Sequence, residues 1–135
     1  MLYNINPSIW GESFWNTFHI LTFAYPDNPT NEDKQHIVNF FNAVKYILPC
    51  ETCRYHFEQN LIKYPLSDHI LSTRYTLVVW LINLHNDVNV RLGKKQMSVE
   101  AVIQKYTNVN TSYDWTTTLL LIVLLFFLIL YLKLN

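Results

Sequence analysis

Apolar residues recur three and four positions apart through most of residues 10–106, the spacing that lines one face of a helix. Residues 10–24 place Phe14, Trp15, Phe18 and Leu21 on such a face, and Tyr25-Pro26-Asp27-Asn28-Pro29 stops the segment. Thr30 with Asp33 three residues on predicts a variant capping box opening a second helix. Its inward face reads Ile37, Phe40, Phe41, Val44 and Leu48. A third helix carries Phe57, Leu61 and Ile62 and ends before Tyr64-Pro65. A longer fourth starts near Ser72 or Thr73 and runs through Leu77, Trp80, Leu81, Leu84 and Val88 to Leu92, with Gly93 as its C-cap. Ser98 caps a short fifth helix reaching about Tyr106. No alternating strand pattern precedes the cysteines, so the prediction is all-α: a four-helix bundle plus a short fifth helix.

Beyond that domain the pattern changes character. Residues 119–132 are an unbroken apolar run, and 115–134 is interrupted only by three threonines and Lys133. A helix of that length spans roughly 30 Å, about the hydrocarbon thickness of a bilayer. Trp115 and Tyr131 lie near its ends, and Lys133 can snorkel. The expectation is a domain over 1–107, a polar linker over 108–114 and a C-terminal transmembrane helix over 115–134. Met1-Leu2-Tyr3-Asn4 has no signal-peptide pattern, so the expected topology is tail-anchored in a membrane with the domain facing the cytosol. The acceptor pattern Asn110-Thr111-Ser112 would then abut the membrane unused.

Charge excludes one class of partner. Ten basic and ten acidic residues balance, with no basic face interleaved with aromatics, so no nucleic-acid partner is expected. Only Gly11 and Gly93 occur, too few for a glycine-rich phosphate loop, and any nucleotide must be held by side chains and stacking.

The chemistry concentrates in Leu48-Pro49-Cys50-Glu51-Thr52-Cys53-Arg54, which holds both cysteines as C-x-x-C. Such a pair is a redox disulfide, half a metal site, or a structural staple. So short a loop removes little unfolded-state entropy, which disfavours the staple. A metal adaptor would need Cys50, Cys53 and His56 with His36 or His69, and lacks the usual second ligand pair, so no metal is expected. Redox chemistry leads. Pro49 suits a helix start, placing Cys50 at the positive helix N-terminus and Cys53 one turn inward. Cys50 then reads as the exposed exchanging sulfur and Cys53 as the sheltered one.

Polar residues inside the apolar helices form a second candidate. His19 follows Trp15 by one helical turn, and His85, Asn86 and Asn89 flank the core stripe of the fourth helix. A single histidine beside a core is commonly just hydrogen-bonded. A cluster of His and Asn with Trp80 nearby also reads as a lining for an aromatic ligand.

In order along the chain come Trp10-Gly11-x3-Trp15-x3-His19, Tyr25-Pro26, Leu48-Pro49-Cys50-x2-Cys53-Arg54, and Trp80-x4-His85-Asn86-x2-Asn89-x-Arg91-Leu92-Gly93-Lys94. Together they resemble the Erv/ALR family of FAD-linked sulfhydryl oxidases, especially the short versions of large cytoplasmic DNA viruses. The resemblance spans residues 10 to about 106. It implies a helical bundle around FAD, usually as a homodimer, that oxidises dithiols and passes the electrons to molecular oxygen, giving hydrogen peroxide. It also implies that Cys50 exchanges with substrate and that Cys53 is the flavin-proximal sulfur. Trp15, His19 and Tyr25 would line the cofactor, with His85, Asn86 and Asn89 on its adenine and ribose side. Lys94 or Lys95 would lie near phosphate, Tyr106 would fill an aromatic position, and Gly11 and Leu92 complete the cofactor-facing set. If the source is viral, the enzyme would sit in host cytoplasm and the virion membrane. Two departures stand out: Glu12 replaces an arginine common in the family, and no further cysteines provide a shuttle pair. The expected electron donor is therefore a separate dithiol carrier, thioredoxin-like, or a thiol protein substrate.

Overall fold

Asn6 opens the first helix: its side-chain oxygen accepts the Ser8 amide, and Pro7 takes the first helical turn, where an N–H would have no partner. Helix α1 therefore spans Pro7–Ala24, beginning before the Trp10 start that apolar spacing marks. The structure is a computed structural model that describes residues 4–107 and 115–134. Helix α2 (Asn31–Ile47) starts at the predicted capping box, with Thr30 Oγ1 accepting the Asp33 amide and Asp33 accepting the Thr30 amide in return. Helix α3 (Glu51–Lys63) follows after the three-residue break Leu48-Pro49-Cys50, and Ile70–Ser72 make one 3-10 turn. Helix α4 (Arg74–Arg91) opens on a second capping box between Thr73 and Thr76. Helix α5 spans Val99–Thr107 and α6 spans Trp115–Leu134.

Gly93 ends α4 with φ 67°, a left-handed conformation. Its amide bonds to Val90 and the Lys94 amide to Asn89, satisfying the last carbonyls of the helix. An added Cβ would meet nothing within 4 Å, so only backbone strain opposes a side chain there. Gly93→Ala is expected to lower stability by about 1 kcal/mol in urea unfolding. An unchanged midpoint would contradict this.

Helix α1 packs on α4, α2 packs on α3, and α5 lies against both α1 and α4. The main core gathers Phe18, Phe41, Val44, Phe57, Leu77, Trp80, Leu81 and Leu84. Phe18 meets Phe41 edge-on at 5.9 Å, and Phe41 meets Trp80 edge-on at 4.8 Å. Trp80 is thus a packing residue, its indole N–H donating to the Tyr64 carbonyl at 2.8 Å. Helix α4 is buried on a second side too, where Val78 and Ile82 meet Val102 of α5. That double burial explains the unbroken apolar run over 77–82.

The expected membrane anchor needs correction. The C-terminal residues form helix α6 as predicted, but among the described residues no helix is long and apolar enough to cross a membrane. The physical reason is length: three threonines and Lys133 confine the unbroken apolar run to 119–132. That run rises only about 20 Å, against roughly 30 Å of hydrocarbon. Tail anchoring in a membrane, with the location it implied, falls with it. The linker 108–114 lies outside the described residues.

Candidate functional site

Cys50 is the N-cap of α3, with extended φ −155° and ψ 119°, and it forms a disulfide with Cys53 across a Cα–Cα distance of 5.1 Å. Pro49 therefore precedes the cap instead of occupying the first helical position. The Cys53 amide donates to Cys50 Sγ at 3.2 Å, so a sulfur does the capping that an oxygen usually does. A thiolate released at Cys50 keeps that donor and the positive end of the helix, both of which favour it over the thiol. Arg54 stiffens the approach: its guanidinium donates to the Leu48 carbonyl at 2.7 Å, bridging the end of α2 to the first turn of α3. Apolar spacing gave no sign of that role, although an arginine directly after the second cysteine was visible.

Burial of the two cysteine residues runs opposite to the sequence expectation. Cys50 is only 7% exposed, and Cys53 is half-buried. The N-terminal segment is hydrogen-bonded next to Cys50. The Ile5 amide donates to the Pro49 carbonyl at 2.7 Å, and the Trp10 indole N–H holds the Ile5 carbonyl at 3.0 Å. Chain ahead of α1 is thereby fixed against the peptide unit that carries the Cys50 nitrogen.

The second centre joins three helices. His19 Nε2 of α1 and His85 Nδ1 of α4 lie 3.1 Å apart, so one ring nitrogen donates and the other accepts. Trp15 stacks on His85 with centroids 3.9 Å apart and planes within 5°. Tyr106 of α5 stacks on His19 at 5.3 Å and donates its hydroxyl to Asn16 at 2.9 Å. Burial lowers both imidazole pKa values, His19 to about 4 with the Lys105 charge adding to it. His85 falls to about 3, with His19, Lys94 and Lys105 reinforcing the burial effect. Both rings are neutral at pH 7 and free to exchange hydrogen bonds.

Several predicted residues find other work. Asn86 donates to the Met97 carbonyl and accepts the Met97 amide, each at 2.8 Å, and Asn89 donates to Asn86. An amide side chain is suited to both tasks at once, and here it pins the segment after Gly93 to α4. Tyr25 is core: its hydroxyl donates to Leu71 and its carbonyl accepts Arg74 at 2.6 Å, so its polar contacts go to the start of α4 instead of the histidines. Leu92, Lys94 and Lys95 are exposed at the end of α4. Gly11 sits one turn before Trp15, where an added Cβ would meet nothing within 4 Å. A cavity of about 480 Å³ between Tyr64 and Thr76 borders Trp80 and His69 but none of the residues expected to hold the cofactor, whereas one of about 300 Å³ borders Tyr106 and Phe23.

The donor set fits an FAD. Trp15, His85 and Tyr106 offer flat aromatic faces, and two lysines follow α4. Most telling, His19 Nδ1 is buried with no hydrogen-bond partner among the described residues, a nitrogen that ordinarily demands one. Among the described residues no three of His, Cys, Asp or Glu converge as a metal site would require.

Known proteins resemble this chain over most of its length. A probable FAD-linked sulfhydryl oxidase, R368, of Acanthamoeba polyphaga mimivirus is 41% identical over 116 residues, covering 82% of this chain and 81% of that protein. A putative FAD-linked sulfhydryl oxidase, 096R, of Invertebrate iridescent virus 3 is 35% identical, covering 76% of this chain and 69% of that one. The crystal structure of the FAD binding domain of Erv1 from Saccharomyces cerevisiae superposes with a TM-score of 0.72 at 25% identity, covering 78% of this chain and 97% of that one. The sequence model of the Erv1 / Alr family matches residues 12–108, and the chain belongs to that family.

Proposed function

We propose that this chain is an FAD-dependent thiol oxidase that forms disulfides in dithiols and delivers the electrons to oxygen as hydrogen peroxide. The observation that carries the reading is a disulfide whose first sulfur caps a helix, in a chain of this family. A substrate thiolate attacks Cys50 Sγ: a new S–S bond forms, the Cys50–Cys53 bond breaks, and Cys53 leaves as a thiolate. A second substrate thiolate attacks the substrate sulfur of that mixed disulfide, and Cys50 leaves in turn. The substrate departs with one disulfide and two fewer electrons, which now reside on the reduced cysteine pair. When bound, FAD supplies the two-electron couple that reoxidises the pair and reduces oxygen.

Trp15, His19, His85 and Tyr106 would hold the cofactor, with His19 Nδ1 bonding to it and Lys94 and Lys95 facing its phosphates. Gly11 and Leu92 would border it. Asn86 and Asn89 would act by fixing the segment that carries the lysines, and Tyr25 by holding the end of α1. The catalytic unit is assigned to residues 1–107, its working form to a homodimer, and its electron donor to a thioredoxin-like carrier or a thiol protein. Purified protein should be yellow with flavin and should consume oxygen when given dithiothreitol. A folded, colourless protein that takes up no flavin would end the reading.

A further inference from the structure

Cys50 carries the sulfur assigned to substrate, yet it is the more buried residue of the pair. What holds chain beside it is slight. Asn4, Ile5 and Asn6 are exposed, and Ile5 is 42% exposed, so this segment is retained by hydrogen bonds more than by burial. The bonds are those of the Ile5 amide to Pro49 and the Trp10 indole to Ile5. Proline has no N–H, so its carbonyl is the one main-chain polar group that Pro49 can offer a neighbour. That oxygen belongs to the same peptide unit as the Cys50 nitrogen.

We propose that Asn4–Asn6 is a strap lying on the track by which a cysteine-bearing polypeptide reaches Cys50, strap and substrate competing for the Pro49 carbonyl. The inference rests on Cys50 being the attacked sulfur. An extended polypeptide brings a backbone N–H that replaces Ile5's, together with a cysteine beside it; main-chain pairing of this kind gives affinity independent of sequence. A small dithiol has no such group and reaches Cys50 only when the strap opens by itself. The partner is therefore an extended segment of polypeptide around a reduced cysteine pair.

The test uses full-length protein carrying Cys53→Ser, which leaves Cys50 as a lone thiol. Ile5→Pro removes the amide donor. Trp10→Phe removes the indole donor and keeps a ring against Phe14. Each is expected to raise the iodoacetamide alkylation rate of Cys50 by about fivefold, the effect of one lost hydrogen bond on an opening equilibrium. With both cysteines restored and oxygen excluded, a reduced, end-blocked Cys-x-x-Cys peptide should cleave the disulfide. It should do so about fivefold more slowly when the backbone amides next to its cysteines are methylated. Unchanged alkylation in both variants, with native circular dichroism, overturns the strap. A peptide indifferent to methylation overturns the competition. Alkylation needs neither flavin nor oxygen, so failure of the oxidase reading would show separately, as protein without flavin.

Discussion

Changing Cys53 to serine is expected to abolish thiol-driven oxygen consumption in a protein that still folds. Without Cys53 there is no bond for a substrate thiolate to break at Cys50, so no electrons leave the substrate. The loss should be at least about 100-fold, or about 2.7 kcal/mol of transition-state stabilisation. Stability should suffer far less, because a bridge between residues three apart constrains the unfolded chain little, about 2 kcal/mol at most. Cys50→Ser should also stop turnover, for a different reason: the sulfur on which the mixed disulfide forms is gone. Cys53→Ser should still trap a substrate on Cys50 when given a pre-oxidised thiol, whereas Cys50→Ser should not. An oxygen electrode with dithiothreitol, followed by mass measurement of trapped adducts, separates the two. Parent-like oxygen consumption in either variant would defeat these roles.

The second large effect is expected on acidification. Folded His19 and His85 have pKa values lowered from 6.5 to about 4 and about 3, burial being the first cause in each. In the unfolded chain both imidazoles take up protons near pH 6.5, while the native pair resists. The unfolded state then binds more protons, so stability falls as the pH drops from 6.5 toward 4. Above that window both states hold neutral rings, and the pair adds no pH dependence. The loss should be on the order of 3 kcal/mol. Asp33 and Asp87, held below the usual carboxylate range chiefly by hydrogen bonds from Thr30 and Lys63, add acid sensitivity only at lower pH. Urea unfolding at successive pH values checks the prediction. The double variant His19→Gln with His85→Gln should flatten the curve between pH 6.5 and 4. An equally steep curve in that variant would place the acid sensitivity elsewhere.

Local chemistry in the sequence located most elements because it acts over three or four residues. Thr30 with Asp33 and the glycine at 93 mark their helix ends, and the structure places both as read. The start of α1 shifted because Asn6-Pro7 is a capping signal that apolar spacing overlooks. Trp15, His19, His85 and Tyr106 come together from three helices, and helical spacing could pair only the first two. The bonds of Asn86 to the Met97 backbone were not legible, because that partner has no side-chain signature. The burial order of the cysteines was invisible for a related reason. Burial is a property of the assembled fold, and beside Cys50 the Ile5 amide reaches the Pro49 carbonyl, a contact between segments distant in the chain. Hydropathy overstated the tail, since an apolar composition over 115–134 says less than the length of its uninterrupted part.

The central claim is that electrons pass from a dithiol through Cys50 and Cys53 to a flavin held by this fold. The most direct measurement is an anaerobic titration of the flavin-loaded protein with dithiothreitol, followed by visible absorption. The account predicts that the flavin absorption bleaches in the parent and persists in Cys50→Ser and Cys53→Ser. Bleaching at the parent rate in both variants, or none in the parent, would contradict it.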